Sequence, residues 1–291
     1  MIQMLGCGYR HERRKFRREI DVGRFFAIHP CFVLAIVSAA VLALGCGSRA
    51  KVEEATPGTR GEATEPGQQQ LATESGMSRA TLEELKRIAE TYPDSAYVRY
   101  RLGRKLMEES QWEEARRVLD EAIRLDEGLV DAYFDLAWCY YNLRMPREQL
   151  RVYDQLLRRE NDLPSEVRAN LHTYAGNVHT QLLLKGDKNS STPALKHYRE
   201  AHRIAPDAAG PMLGEGRVLL ALQRWREAEE TFRRVLRSSP GPRSRALALE
   251  GLANVAWHAH DDRDTAEEYL RKARQEDPTG NYAIREFLQP D

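Results

Sequence analysis

Catalytic signatures are what this chain lacks first. It has no Gly-x-Ser-x-Gly, no Walker-type phosphate loop and no His-Glu-x-x-His, so the common nucleophile, nucleotide and zinc-hydrolase motifs are absent. It also has no excess of either charge, with 44 Lys and Arg against 44 Asp and Glu. That balance argues against nucleic acid as a ligand, which needs a basic footprint. Cysteine is scarce: of four, Cys7, Cys31 and Cys46 lie near the start and Cys139 stands alone in the remainder. A lone thiol excludes an internal disulfide there, and its position within an apolar helical pattern suits a small buried residue.

What the chain does contain is a repeat of 34 positions between about Pro93 and Pro278. Small residues fall at Ala115, Ala194, Ala228 and Ala266. Large ones follow one turn on, at Leu119, Tyr153, Tyr198, Phe232 and Leu270, and then come Ala122, Leu156, Ala201, Val235 and Ala273. Each unit stops at Pro93, Glu127, Asn161, Pro206, Pro240 or Pro278. A period of this length is one helical hairpin, which must stack on a neighbour to bury its apolar face. Gly103, Gly176 and Gly216 mark where the two helices of a hairpin cross closely. Two departures are visible. About five residues are inserted between the second and third units, and six more fall inside the third, within residues 185–192. Thr192-Pro193 is expected to cap and start the helix after that insertion.

These residues resemble the tetratricopeptide repeat family. The clearest copy carries Tyr100, Leu102-Gly103, Leu106, Trp112, Ala115, Leu119 and Ala122, and the fourth returns to register with Gly216, Trp225, Ala228, Phe232 and Pro240. The fifth is looser, with Ala253-Asn254 in place of Leu-Gly. The fold class expected is all-α: an α-solenoid of about five such hairpins over residues 77–291. Thr81 to Tyr92 would form an N-terminal half-repeat cap, and a short helix at residues 281–288 would close the other end.

Residues 1–45 read as a targeting segment. Arg13, Arg14, Lys15, Arg17, Arg18 and Arg24 precede an uncharged apolar run from Phe25 to Leu44, which ends in Ala43-Leu44-Gly45-Cys46-Gly47-Ser48. This resembles a bacterial lipoprotein signal, which implies cleavage before Cys46 and acylation of that residue. Ala43, where Leu is commonest, departs from the pattern. The long basic region leaves open a true start downstream of Met1. The alternative is a retained transmembrane helix, since 21 residues from Phe25 to Gly45 are enough to span about 30 Å of hydrocarbon. Residues 46–76 are rich in Glu, Thr, Gly, Pro and Gln and read as a disordered tether spanning roughly 30 Å. Without residues 1–45 the chain has 37 basic and 41 acidic residues. Gly47 after the acylated Cys implies, by the sorting rule of such lipoproteins, the outer membrane and its periplasmic face.

The resemblance also implies where a partner would sit. First helices of this family line an inner, concave face, here composed of Tyr97, Tyr100, Arg104 and Met107, then Asp131, Phe134, Trp138, Tyr141 and Asn142. Thr173, Asn177 and Gln181 follow, then Leu213, Arg217 and Leu220, and last Glu250, Asn254, Trp257 and His258. The expected partner-binding set is Tyr97, Tyr100, Arg104, Phe134, Trp138, Tyr141, Asn177 and Arg217, contacting a protein or peptide of the cell envelope. Tyr100 and Phe134 are equally readable as packing against the adjacent hairpin. Tyr100 and Arg104 stand where a carboxylate clamp needs Lys and Asn, so capture of a C-terminal carboxylate is not expected.

No cofactor, metal or catalytic residue is expected, because the repeats consume residues 77–291. The cluster His258-Ala259-His260-Asp261-Asp262 is better read as a solvated turn than as metal ligands, and His172 and His179 share a helix face without an obvious third ligand. Asn189-Ser190-Ser191 is a formal glycosylation acceptor that reads as a plain loop. The expected function is a membrane-tethered scaffold that assists assembly of an envelope complex. The alternative is a permanent structural subunit of a membrane complex.

Overall fold

The computed structural model describes residues 80–238 and 240–285. The apolar run, Cys46 and the proposed tether lie outside them. Eleven α-helices follow in order: α1 Leu82–Thr91, α2 Ala96–Glu108, α3 Trp112–Leu125, α4 Val130–Asn142, α5 Pro146–Leu157, α6 Ser165–Leu184, α7 Ser191–Ile204, α8 Ala209–Ala221, α9 Trp225–Arg237, α10 Pro242–His260 and α11 Arg263–Glu276. Among the described residues there is no strand. The helices pair as five hairpins after the single helix α1. Each contacts its neighbours in sequence, and first helices touch directly in the pairs α2–α4, α6–α8 and α8–α10.

The array starts at a capping box. The Thr81 hydroxyl accepts from the Glu84 backbone N–H while the Glu84 carboxylate accepts from the Thr81 N–H at 2.8 Å. Helix α1 then buries Leu82, Leu85 and Ile88 against the first hairpin, as expected of a half-repeat.

The hairpin turns share a device that contains no glycine. Ser110, Arg144, Gln223 and Asp261 each take a positive φ of 48–60° between the two helices of their unit. The next residue's N–H then reaches back to the first helix, as from Gln111 to Leu106 O and from Met145 to Tyr140 O, both at 2.9 Å. This is a Schellman-type closure, which satisfies helix-end carbonyls at the cost of a left-handed non-Gly residue. The third hairpin instead uses Gly186, at φ 100°. Its insertion makes a 3₁₀ turn over Lys188–Ser190, with the Asp187 carboxylate accepting from Asn189 N and Ser190 Oγ. Helix α7 therefore begins at Ser191, one residue before the expected cap. Thr192 is already helical, and Pro193 sits in the first turn, where its missing N–H is not needed.

The joints between units are set by aromatic wedges. Tyr198 of α7 lies against Gly176 of its own first helix and Gly214 of the next; an added Cβ would come to 2.9 Å and 2.2 Å from its ring. Phe232 of α9 is held in the same way between Gly216 and Gly251, at 2.6 Å and 2.4 Å. Both rings are almost wholly buried. The joint between the second and third units differs. There Phe134 meets Tyr153 and Tyr174, with centroids 6.3 Å and 5.8 Å away.

The C-terminal end departs from expectation. Of the helix expected at 281–288, residues 286–288 lie outside the described residues, and 281–285 are not helical. They run irregularly back across α10, with Tyr282 buried against α11.

Candidate functional site

The first helices present one register of side chains repeatedly. The position after each small crossing residue is Arg104, Trp138, Asn177, Arg217 and Asn254, and the position one turn earlier is Tyr100, Phe134, Thr173, Leu213 and Glu250. Helical geometry stacks each such pair on one face.

Packing absorbs these residues to different degrees. Tyr100 is buried, and desolvation pushes its phenol well above the usual range. Arg104 lies 5.9 Å over that ring and 3.7 Å from Asp135 of the next unit. Burial raises the Asp135 carboxyl to about 6, opposed by the Arg104 charge. Tyr97 is half-buried against the core of the first units. Phe134 belongs to the aromatic wedge already described. Asn177 accepts a hydrogen bond from the buried Tyr198 hydroxyl at 2.8 Å. Arg217 is partly exposed, and its pKa is lowered, mainly by desolvation.

Trp138 and Tyr141 stand apart. Their rings stack at 5.0 Å and 19° on α4, both half-exposed. The Asn142 amide donates to Trp138 O at 2.9 Å and so is turned back onto the helix. A rigid stacked pair offers a flat amphipathic platform with little rotamer entropy left to lose. Cys139, between them in sequence, faces the core; burial pushes its thiol up to about 12.

The histidines resolve into two places. His172 and His197 face each other, Nδ1 to Nδ1, at 3.0 Å, and His172 Nε2 lies 3.1 Å from Glu160. His179 stacks on His197 at 5.7 Å and 17°. The structure thus supplies His197 as a neighbour that sequence spacing could not show, but stacked rings do not converge their lone pairs. Among the described residues no group of three or more His, Cys, Asp or Glu has metal-holding geometry. Asp261 and Asp262 are helix-turn residues: the first is the left-handed C-cap of α10, and the second accepts from Thr265 N at 3.0 Å to start α11.

The last unit carries contacts beyond those the repeat implies. Glu250, Asn254 and His258 are engaged by the segment at 282–285: Asn254 Oδ1 accepts from Arg285 N at 2.8 Å, and Glu250 Oε1 accepts from Ala283 N at 3.3 Å. Sequence periodicity places these three on the right face without indicating what they hold.

Helical hairpins stacked through small-residue crossings and aromatic wedges define an α-solenoid, a fold used for protein–protein interaction. Residues 100–164 and 213–281 match the model of the tetratricopeptide repeat family. Those two stretches are tetratricopeptide repeats, and the third unit, between them, is a helical hairpin with an enlarged turn. No curated protein matches the sequence. Among solved structures, YrrB, described as a tetratricopeptide protein with an unusual peptide-binding site, is similar at 22% identity and TM-score 0.50, over 68% of this chain and 95% of that one. MamA is similar at 16% identity and TM-score 0.50, over 63% and 92%. At these identities the likeness is one of fold.

Proposed function

We propose that the protein is a non-catalytic scaffold, tethered to a bacterial envelope membrane through a lipid on Cys46, which captures a segment of a partner protein on its first-helix face. The observation that carries the binding reading is the stacked, half-exposed Trp138–Tyr141 pair. The second unit spends Phe134 on packing against the core and leaves these two rings half-buried outside that cluster. Arg104, Asn177 and Arg217 follow in the same register and add polar recognition along the row. The peptide-binding site named for YrrB supports capture of a segment rather than of a small molecule. The envelope location rests on the sequence alone: basic residues, an apolar run and Gly45-Cys46-Gly47-Ser48. A permanent structural subunit is the alternative, and it would engage partners through the second-helix surface.

Double substitution Trp138→Ala, Tyr141→Ala tests the site. Partner recovered on affinity-purified full-length protein should fall by tenfold or more, since two anchor aromatics each contribute about 1 kcal/mol or more, while helicity stays the same. Undiminished recovery would remove the pair from the binding site.

A further inference from the structure

The last unit shows how this face holds a non-helical segment. Five main-chain groups of residues 282–285 are bonded by side chains of α10 and α11. Ala283 N donates to Glu250 Oε1 at 3.3 Å and Arg285 N to Asn254 Oδ1 at 2.8 Å. In return, Asn254 Nδ2 donates to Ala283 O at 3.4 Å, His258 Nε2 to Arg285 O at 2.7 Å and Arg274 to Tyr282 O at 3.1 Å. The Arg285 guanidinium pairs with Glu250 at 2.9 Å. Glu250 and Asn254 occupy the register of Phe134 and Trp138 in the second unit. A carboxylate and an amide buried to 5% and 1% exposure are costly unless something bonds them.

We infer that Tyr282–Arg285 is a ligand held in cis, and that Glu250, Asn254 and His258 form a binding site for a non-helical peptide segment with a basic residue in the place of Arg285. The inference rests on the first-helix face being the partner-binding face. Tyr282 also covers apolar surface of α10 and α11, but the segment's polar contacts concentrate on α10, which bonds four of its five held main-chain groups. Main-chain bonding makes recognition tolerant of sequence, and two features restrict it. The basic side chain must reach Glu250, and the residue in the place of Ile284 must pack against the apolar cluster of α10 and α11. Ala283 has an exposed side chain, so that position admits variation. A partner segment of the same pattern would compete with the chain's own.

The test uses the full-length chain and a fluorescein-labelled, C-terminally amidated peptide of residues 279–285, followed by anisotropy. Arg285→Glu sets two carboxylates together at Glu250 and frees the site. Ala283→Pro frees it differently, by removing the N–H that Glu250 accepts. Occupancy in cis lowers the apparent affinity by the fraction of molecules left open. Both variants should therefore bind the peptide about tenfold or more tighter than the unsubstituted chain, and adding Asn254→Ala or His258→Ala should abolish that gain. Equal, negligible binding by all chains with helicity retained would overturn the inference and leave the segment as a fixed cap. Peptide exchange intact without any partner contact at Trp138 would uphold this site and remove the proposed scaffold reading. Partner contact at Trp138 without peptide exchange would do the reverse.

Discussion

Gly251→Ala asks whether the aromatic wedges set the joints between units. An added Cβ would lie 2.4 Å from both Cε2 and Cζ of Phe232, inside any tolerable contact, and the ring's other edge packs on Gly216 so closely that a Cβ built there would come to 2.6 Å of it. The ring cannot retreat from one helix without striking the other, so α9 and α10 must separate. Overpacking of this kind costs about 1–3 kcal/mol, and replacing a helical Gly by Ala returns up to about 1 kcal/mol. The net expected loss is about 1–2 kcal/mol. For an array of this size that is a fall in Tm of about 2–8 °C. Gly210, near the start of α8, has nothing within 4 Å of where an added methyl would sit, so Gly210→Ala should be neutral or slightly stabilising and controls for propensity. Because stacked repeats need not unfold as one unit, hydrogen exchange of α10 amides should accompany the melt. Adding Phe232→Leu should recover part of the loss, as the shorter side chain clears the methyl. A Gly251→Ala chain as stable as the unsubstituted one, with unchanged α10 exchange, would refute the wedge account.

Three further outcomes are expected. Burial, and then the neighbouring His172 and His179, lower His197 from 6.5 to about 4. Its neutral form is thus favoured when folded, so the associated stability is complete above about pH 6.5 and is lost as pH falls towards 4. Discounted for partial exposure, this is about 1–2 kcal/mol, and His197→Gln should flatten the slope of stability against pH over that window. The Cys139 thiol, buried and pushed up to about 12, should resist alkylation in the folded chain and react in denaturant, as peptide mapping would show. Cys46→Ala should release the protein from the membrane fraction or leave an unprocessed precursor; a full-length form still held in the membrane would favour the transmembrane anchor over the lipid.

The repeat is legible in the sequence because its signal is steric. Gly103, Gly176 and Gly216 recur where helices cross, and Ala115, Ala194, Ala228 and Ala266 answer them from the second helix. What sequence cannot show is which neighbour each small residue meets. Gly214 and Gly251 face rings of the preceding unit rather than of their own, a contact 16 to 19 positions away with no fixed period. The turns are hidden for a related reason: Ser110, Arg144, Gln223 and Asp261 adopt a glycine-like φ without being glycine. The start of α7 depends on Asp187 bonding a 3₁₀ turn, which moves the boundary ahead of Thr192-Pro193. On the first-helix face, register places the candidate residues, and packing sorts them. Tyr100 and Phe134 go to the core and the wedge, while Trp138 and Tyr141 remain half-buried outside the core cluster. The apolar Tyr282 and Ile284 suggest a helix that the chain does not form at 282–285. The main-chain bonds of that segment to Glu250, Asn254 and His258 leave no periodic trace.

The central claim, that a partner segment lies along the first helices, is tested most directly by placing a photoreactive amino acid at Trp138 in the full-length chain in cells and identifying the adducts by mass spectrometry. A second probe at Arg233, exposed on α9, serves as the comparison. One discrete envelope protein crosslinked from position 138 and not from 233 is the predicted result. Adducts from 233 with none from 138 would contradict the account and place the partner on the second-helix surface.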